Sequence, residues 1–189
     1  MRARSVLWER TDVPAFEWCR LDIEAASSKL AGTVLLAWDG SPWRIDYEIA
    51  LDEQGRTRRL AIGADWVAAD GGVPTRIDLV LEADGQGRWT RDGIVVIDDP
   101  EALDCDLGFS PSTNTLPIRR LGLEIGEQRE IAVAWILFPS FDVVLGRQTY
   151  ERLAERTWRY RSGSFDAELT VDEDGLVDAY YEWRAIARS

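Results

Sequence analysis

The sequence predicts a mainly β protein, built as an antiparallel meander with a single α-helix near residues 114–121. Two observations lead to this prediction. Apolar and polar residues alternate with period two along most of the chain, which is the pattern of half-buried strands. Short turns separate these runs. Several of them have an acidic residue one or two positions before a Gly, which indicates hairpins. Parallel strands would need crossovers of a dozen or more residues, so the meander is antiparallel.

The alternation is clearest from residue 43 to residue 51. Trp43, Tyr47 and Leu51 share one face there, while Arg44 and Glu48 take the other. The same period, or shorter pieces of it, predicts further strands at residues 15–23, 33–38, 57–66, 76–82, 88–97, 130–137, 142–150, 157–161, 165–171 and 177–183. Turn signals such as Asp39-Gly40 lie between these runs.

One strand breaks its own phase. Phe16 and Trp18 are out of step with Leu21 and Ile23. If all four side chains face the core, the strand must contain one extra residue, so a β-bulge is predicted between them.

A single segment has helical signals. Asn114 or Thr115 can cap a helix, Pro117 suits a first turn and Gly122 can end it. The prediction is one short helix near residues 114–121. A second helical pattern at residues 148–156 is equally compatible with a strand.

Composition excludes several functions. The chain has 189 residues, no His, and 34 acidic against 22 basic residues, giving a net charge of −12. Without His there is no serine triad, Cys-His dyad or His-ligated zinc. The charge opposes binding to nucleic acid and to anionic membranes, so any membrane contact is expected to be transient. The length suits a single domain over residues 1–189.

Compartment and cofactor are inferred from the same composition. The first residues lack the apolar stretch of a signal peptide, and no apolar run reaches the roughly 20 residues of a spanning helix. Cys19 and Cys105 are expected to be free and buried. We therefore predict a cytoplasmic protein without a metal or other cofactor.

Two clusters of charge are candidates for chemistry. Asp104 and Asp106 would lie on one face of an extended strand, about 6.5 to 7 Å apart. That spacing permits an inverting glycosidase pair or a metal site, but also a solvated strand edge. Arg119 and Arg120 could clamp a phosphate or carboxylate, or serve as counterions in an acidic protein.

The nine Trp and five Tyr side chains suit binding of sugars or acyl chains as well as a core. Tyr181 and Trp183 lie on the apolar side of a predicted strand and are expected to be buried. Trp38, Trp66 and Trp89 lie beside turns and are freer to meet a ligand.

Several of these residues belong to a larger pattern that resembles a known family. The pattern comprises Gly87-x-Trp89, Asp104-x-Asp106, the run from Ser110 to Leu121 with Thr113-Asn114-Thr115-Leu116-Pro117-Ile118-Arg119-Arg120, Ala134-Trp135 to Pro139, Gln148-x-Tyr150, and Val171-Asp172-x-x-Gly175-Leu176-Val177 with Tyr180. It is similar to the bacterial glycolipid-binding family formerly described as a domain of unknown function. The resemblance covers most of the chain and is weakest before about residue 43.

The resemblance implies a long antiparallel sheet, strongly curved like a half-barrel and wrapped around one helix. It also implies a homodimer, a distant likeness to bacterial lipoprotein carriers, and an acidic pocket for a glycolipid or sugar head group. No catalytic residues carry over from the family. The matching positions expected near the pocket are Asp104, Asp106, Asn114, Arg119, Arg120, Gln148 and Tyr150, with Trp89.

Three functions follow as hypotheses. The first is non-catalytic binding of a glycolipid or sugar-headed amphiphile in an acidic, aromatic-lined pocket, with a role in glycolipid or cell-envelope metabolism. The second is an enzyme acting on glycoconjugates through Asp104 or Asp106. The third is a dimeric scaffold without a small ligand, in which the aromatic residues build core and interface.

Overall fold

The computed structural model describes residues 2–189, and most of that range is β-strand. A single α-helix, α1 (Thr115–Leu121), follows a short 3-10 turn (Ser112–Asn114). The strands are β1 (Arg2–Arg10), β2 (Ala15–Ile23), β3 (Ser27–Trp38), β4 (Ser41–Asp52), β5 (Thr57–Trp66), β6 (Thr75–Ala83), β7 (Arg88–Arg91), β8 (Ile94–Asp98), β9 (Ala102–Leu107), β10 (Gln128–Ile136), β11 (Val143–Arg152), β12 (Thr157–Ser162), β13 (Phe165–Val171), β14 (Val177–Tyr180) and β15 (Trp183–Arg188).

All 15 strands form one sheet. From β1 the order runs through consecutive hairpins to β8 on one side, and through β15 back to β9 on the other. The sheet curves so strongly that β8 approaches β11 and β9 approaches β5, giving a nearly closed, barrel-like shape. The predicted mainly β, curved fold is confirmed. Within the described chain, the one parallel pair is β9 and β10, whose long connection carries α1.

The predicted acidic turns are confirmed as hairpins. Asp39 and Gly40 both have positive φ, 48° and 73°, as do Asp92 and Gly93, 50° and 77°. Two successive residues with positive φ form the turn whose twist matches that of paired strands. The second of these turns divides the predicted strand at 88–97 into β7 and β8.

The predicted bulge in β2 is wrong. β2 pairs with both neighbours without a register shift. Phe16 and Trp18 point outward and are half exposed, so the inward phase set by Leu21 and Cys19 continues to Glu17. Two apolar residues on the outer face had imitated a change of phase. The inward-facing carboxylate is the real feature of this strand.

Tyr181 was also predicted wrongly, as a core residue. It lies in the turn between β14 and β15 with φ of 51° and is 66% exposed. The predicted strand at 177–183 therefore ends early, while Trp183 begins the next strand and is buried, as predicted.

The helix is confirmed and fills the concave side of the sheet. Its buried residues include Leu116 and Ile118, and it ends at Gly122, which takes the left-handed conformation. Asn114 does not cap it with its side chain, because the preceding 3-10 turn already gives Asn114 helical dihedral angles. A capping side chain needs an extended backbone at that position. The Asn114 amide is thereby free for contacts inside the molecule. Among residues 2–189, no helix is long and apolar enough to span a bilayer.

Candidate ligand-binding pocket

A cavity of about 340 Å³ opens between β9, the 3-10 turn and the strands β12 to β15. We call it the aromatic pocket, because six of its lining residues have aromatic rings. Its lining residues are Arg10, Asp106, Leu107, Gly108, Ser110, Asn114, Trp135, Tyr160, Ser162, Phe165, Tyr180, Tyr181 and Trp183. An apolar wall with a few converging polar groups is the usual form of a small-molecule site.

Asp106 is the acidic centre of the aromatic pocket. Its Oδ2 accepts a hydrogen bond from Gln148 Nε2 at 2.5 Å, and its Oδ1 accepts one from Thr113 Oγ1 at 3.2 Å. Burial raises the pKa of this carboxyl, while the hydrogen bonds from Gln148 and Thr113 oppose the rise. Thr113 Oγ1 in turn accepts a hydrogen bond from the Leu107 N–H, which leaves the Thr113 hydroxyl proton directed at the carboxylate of Asp106. Both oxygens of Asp106 are thus held by neutral donors.

Asn114 is the second polar group in the pocket wall. Its Oδ1 accepts from the Tyr150 hydroxyl at 2.9 Å, and its Nδ2 donates to the Pro111 carbonyl at 3.0 Å. Strand β11 places Gln148 and Tyr150 two residues apart on its inner face, so one strand orients both Asp106 and Asn114. The pocket therefore has two polar positions with fixed geometry.

The aromatic wall comes from strands that follow in sequence. Tyr160, Phe165 and Tyr180 have ring centroids 5.9 to 6.3 Å apart and stand at 63° to 85° to one another. Edge-to-face packing of this kind is favourable between aromatic rings. Burial raises the pKa of Tyr160 and of Tyr180, and the charge of Asp106 adds to both shifts. These hydroxyls therefore stay protonated and can donate hydrogen bonds.

The structure brings together four of the eight predicted site residues. Asp106 and Asn114 line the aromatic pocket, and Gln148 and Tyr150 hold them in place. Asp104 and Asp106 both lie in strand β9, two residues apart, as the prediction that they share one face of an extended strand requires.

The other four predicted site residues lie elsewhere. Asp104 is fully buried and forms a two-point ion pair with Arg120, with Nη2–Oδ2 at 2.6 Å. Arg119 donates to the Asp174 carbonyl at 2.6 Å and lines a separate groove of about 460 Å³, which is rich in charged side chains. Trp89, expected to be free for a ligand, is fully buried and donates to the Ala102 carbonyl at 2.7 Å.

Sequence reasoning missed the carboxylate behind the pocket wall. Glu17 on β2 is fully buried, and its Oε1 accepts from the Tyr47 hydroxyl at 2.5 Å and from Ser110 Oγ at 2.7 Å. Burial raises the pKa of Glu17 to about 7, against the opposing effect of hydrogen bonds from Tyr47, Ser110 and Ser112. Its phase with Leu21 would have revealed its inward direction.

The Tyr47 ring reaches Glu17 only because Gly32 lies between them on β3. A Cβ on Gly32 would stand 2.5 Å from the Tyr47 hydroxyl oxygen and 2.7 Å from the Trp18 carbonyl oxygen. The absent side chain thus leaves room for a hydrogen bond that spans β3. Ser110 belongs to both groups, since it lines the aromatic pocket and donates to Glu17.

Within residues 2–189, no three His, Cys, Asp or Glu side chains are grouped so that they could hold an ion. Cys19 and Cys105 are both free and buried.

Together, the curved sheet, the helix and the internal pocket define a class of protein: a mainly β, nearly closed barrel-like sheet with an aromatic cavity that contains a few polar groups. Residues 5–184 match the family described as Putative glycolipid-binding, and the chain belongs to that family. A solved relative is the crystal structure of a DUF1089 family protein from Pseudomonas aeruginosa. It has 32% sequence identity, covers 91% of each chain and superposes with a TM-score of 0.77. A search of curated proteins gives no significant match.

Proposed function

We propose that this protein binds a glycolipid or other sugar-headed amphiphile, without catalysis, in the aromatic pocket. The observation that carries the proposal is the pairing of an aromatic wall with two oriented polar groups, Asp106 and Asn114. Aromatic rings pack on the apolar faces of sugars and on acyl chains. The two polar groups can exchange hydrogen bonds with sugar hydroxyls, since Asp106 accepts them and the Asn114 amide can accept or donate. The family to which the chain belongs supports a binding role in the same broad sense. The biological setting we propose is glycolipid or cell-envelope metabolism.

The geometry favours binding over the enzyme alternative. Glycoside hydrolysis generally needs two carboxyl groups flanking one bond. Asp104 is engaged by Arg120, and among residues 2–189 Asp106 is the only acidic side chain that lines the aromatic pocket. A catalytic pair at Asp104 and Asp106 would first have to break a buried ion pair.

The proposal is tested by measuring the mass of any small molecule that stays bound to the purified protein. The protein is purified from bacterial cells, analysed by native mass spectrometry, and then extracted with solvent for lipid analysis. We expect a stoichiometric amphiphile in the wild type and at least a tenfold lower occupancy in Tyr180→Leu, which removes a ring of the pocket. Trp38→Leu is the matched control, because it removes an exposed ring that does not line the aromatic pocket.

Two results would contradict the proposal. One is a wild-type protein that carries no bound molecule and takes up none from a total lipid extract of the same cells. The other is an amphiphile retained equally by wild type and Tyr180→Leu, which would place its site outside the aromatic pocket.

We further propose that two copies associate in the cytoplasm and meet membranes only briefly. The apolar side chains of Phe16, Trp18 and Leu35 are each about half exposed on the outer face of neighbouring strands, which suits an interface between copies. The free thiols suit a reducing compartment, and the net charge of −12 opposes anionic lipid surfaces. Light scattering of the wild type should give twice the mass of one chain, and Trp18→Ser should lower the measured mass toward that of a single chain. A wild-type protein that stays monomeric at high concentration would contradict the dimer.

A further inference from the structure

Asp106 is partly buried in the pocket wall and lacks the positive partner that carboxylates removed from solvent usually have. Within residues 2–189, no Arg or Lys nitrogen lies within 4.0 Å of its oxygens, which are held by Gln148 and Thr113 alone. Buried charges in proteins are normally paired, because an isolated charge is costly to desolvate. The two neutral donors offset only part of that cost. A positive group entering the pocket would supply the rest.

The rings next to Asp106 are arranged to receive such a group. The planes of Tyr160, Phe165 and Tyr180 are inclined to one another by 63° to 85°, so their electron-rich faces turn in different directions around one corner of the pocket. Cages of aromatic rings with this kind of arrangement hold amino and quaternary ammonium groups through cation–π attraction. A carboxylate beside the cage adds direct Coulomb attraction.

The protein's own positive group in the pocket is already engaged elsewhere. Arg10 lies over the Trp183 ring, with 5.8 Å from its Cζ to the ring centroid. Its guanidinium is held by Asp12 at 2.6 and 2.8 Å, and by Glu182 at 3.3 Å. Two carboxylates therefore neutralise Arg10, and the pocket as a whole stays negative. Arg10 also demonstrates that a ring of this wall accepts a cation.

We propose that the head group bound in the aromatic pocket carries a positive charge, as an aminosugar or alkylammonium, seated between Asp106 and the rings of Tyr160, Phe165 and Tyr180. The inference rests on the proposed function in placing the ligand in this pocket, and it narrows the chemistry of the head. A neutral sugar would leave the charge of Asp106 without a counterion, whereas a protonated amine would neutralise it and occupy the cage.

The test uses four amphiphiles with the same eight-carbon chain. They are octyl β-glucoside, its 2-amino-2-deoxy analogue, the N-acetylated form of that analogue, and octyltrimethylammonium. Binding to the full chain is measured by calorimetry below the critical micelle concentration of each amphiphile, at a pH where the amine is protonated. We expect the amine to bind at least about tenfold more tightly than the glucoside or the N-acetyl form.

A matched pair of variants separates the pocket from general attraction to an acidic protein. Asp106→Asn and Glu168→Gln remove one negative charge each, and Glu168 is exposed on the outer side of β13. Asp106→Asn should abolish the tenfold preference for the amine, and Glu168→Gln should keep it. Asp106→Asn should weaken the neutral glucoside far less than the amine.

The outcomes distinguish this inference from the proposed function. Equal binding of glucoside and amine, or equal losses for both in Asp106→Asn, would overturn the cationic head and leave sugar binding intact. Binding of octyltrimethylammonium alone, sensitive to Asp106→Asn, would support the cation and overturn the sugar. If none of the four binds, both proposals fall.

Discussion

Two carboxylates, two residues apart on the same face of β9, have opposite surroundings. Asp104 meets the guanidinium of Arg120 at 2.6 Å and is sealed from solvent. Asp106 meets only the amide of Gln148 and the hydroxyl of Thr113, and it lines a cavity. A buried charge with its own counterion is a structural element, whereas one held by neutral groups beside a cavity is available to a ligand. The difference lies in the partners, since residue type, strand and direction are the same.

The largest effect expected from this contrast concerns Asp104. Asp104→Ala leaves the guanidinium of Arg120, whose side chain is only 14% exposed, without its counterion. Breaking a buried ion pair in this way typically costs about 3 to 5 kcal/mol in the free energy of unfolding. Urea unfolding at pH 7 measures the loss. Glu48→Ala is the control, because Glu48 pairs with Lys29 at the surface, where solvent screens the interaction and the loss is much smaller. Equal losses for the two variants would refute the structural role of Asp104.

Glu17 extends the comparison to a carboxyl that has neither a counterion nor a place in the pocket wall. Its pKa is raised by burial from 4.5 to about 7 in the folded state. Between these pH values the folded protein binds more protons than the unfolded chain, so the free energy of unfolding falls as pH rises. The shift corresponds to about 3 kcal/mol of stability that is present below pH 4.5 and lost by pH 7.

Unfolding of Glu17→Gln measured from pH 4.5 to pH 8 should therefore be less pH-dependent than that of the wild type by this amount. The variant should be the more stable of the two at pH 8, since Gln carries no charge to desolvate. Glu48→Gln, on the exposed face of β4, should follow the wild-type curve. A wild-type slope that persists in Glu17→Gln would assign the pH dependence to other groups.

Gly32 tests whether the Glu17 group depends on close packing. In Gly32→Ala the new Cβ meets the Tyr47 hydroxyl at 2.5 Å and the fixed Trp18 carbonyl at 2.7 Å, so we expect a destabilisation of about 1 to 3 kcal/mol. Gly63→Ala on β5 is the control, because its nearest neighbour is the flexible end of Arg76 at 2.7 Å. Thermal unfolding of both variants gives the comparison. A loss no greater for Gly32→Ala than for Gly63→Ala would contradict the crowding.

The strands and the helix could be predicted from the sequence because both depend on local patterns. Alternation and acidic turns located most strands, and Pro117 with Gly122 located α1. The closure of the sheet could not be read from such patterns. It depends on pairing β1 with β15, between residues more than 170 positions apart, and period-two alternation does not encode which strands pair.

The residues of the aromatic pocket also fall into two groups, those that the sequence predicts and those that only the topology brings together. Asp106 and Asn114 were predicted because they lie in one contiguous and distinctive segment. Tyr160 and Phe165 were missed because only the topology brings β12 and β13 against that segment. Glu17 was missed because two exposed aromatic neighbours disguised the phase of β2. Where the outer face of a strand also carries apolar residues, period-two alternation no longer shows which face is buried, because that interpretation requires only one face to be apolar.

The smallest change in stability should come from the residue with the largest expected role in binding. Asp106→Asn keeps the shape of the side chain and removes a partly buried charge that has no counterion. The loss of charge-assisted hydrogen bonds and the relief of desolvation should therefore nearly cancel, within about 1 kcal/mol. Asp104→Asn is the same chemical change two residues away, and it should cost several times more because Arg120 stays behind. Urea unfolding of the two variants side by side at pH 7 decides the point. If Asp106→Asn is as costly as Asp104→Asn, both carboxylates are structural, and a lost affinity in Asp106→Asn would no longer identify the ligand's contact.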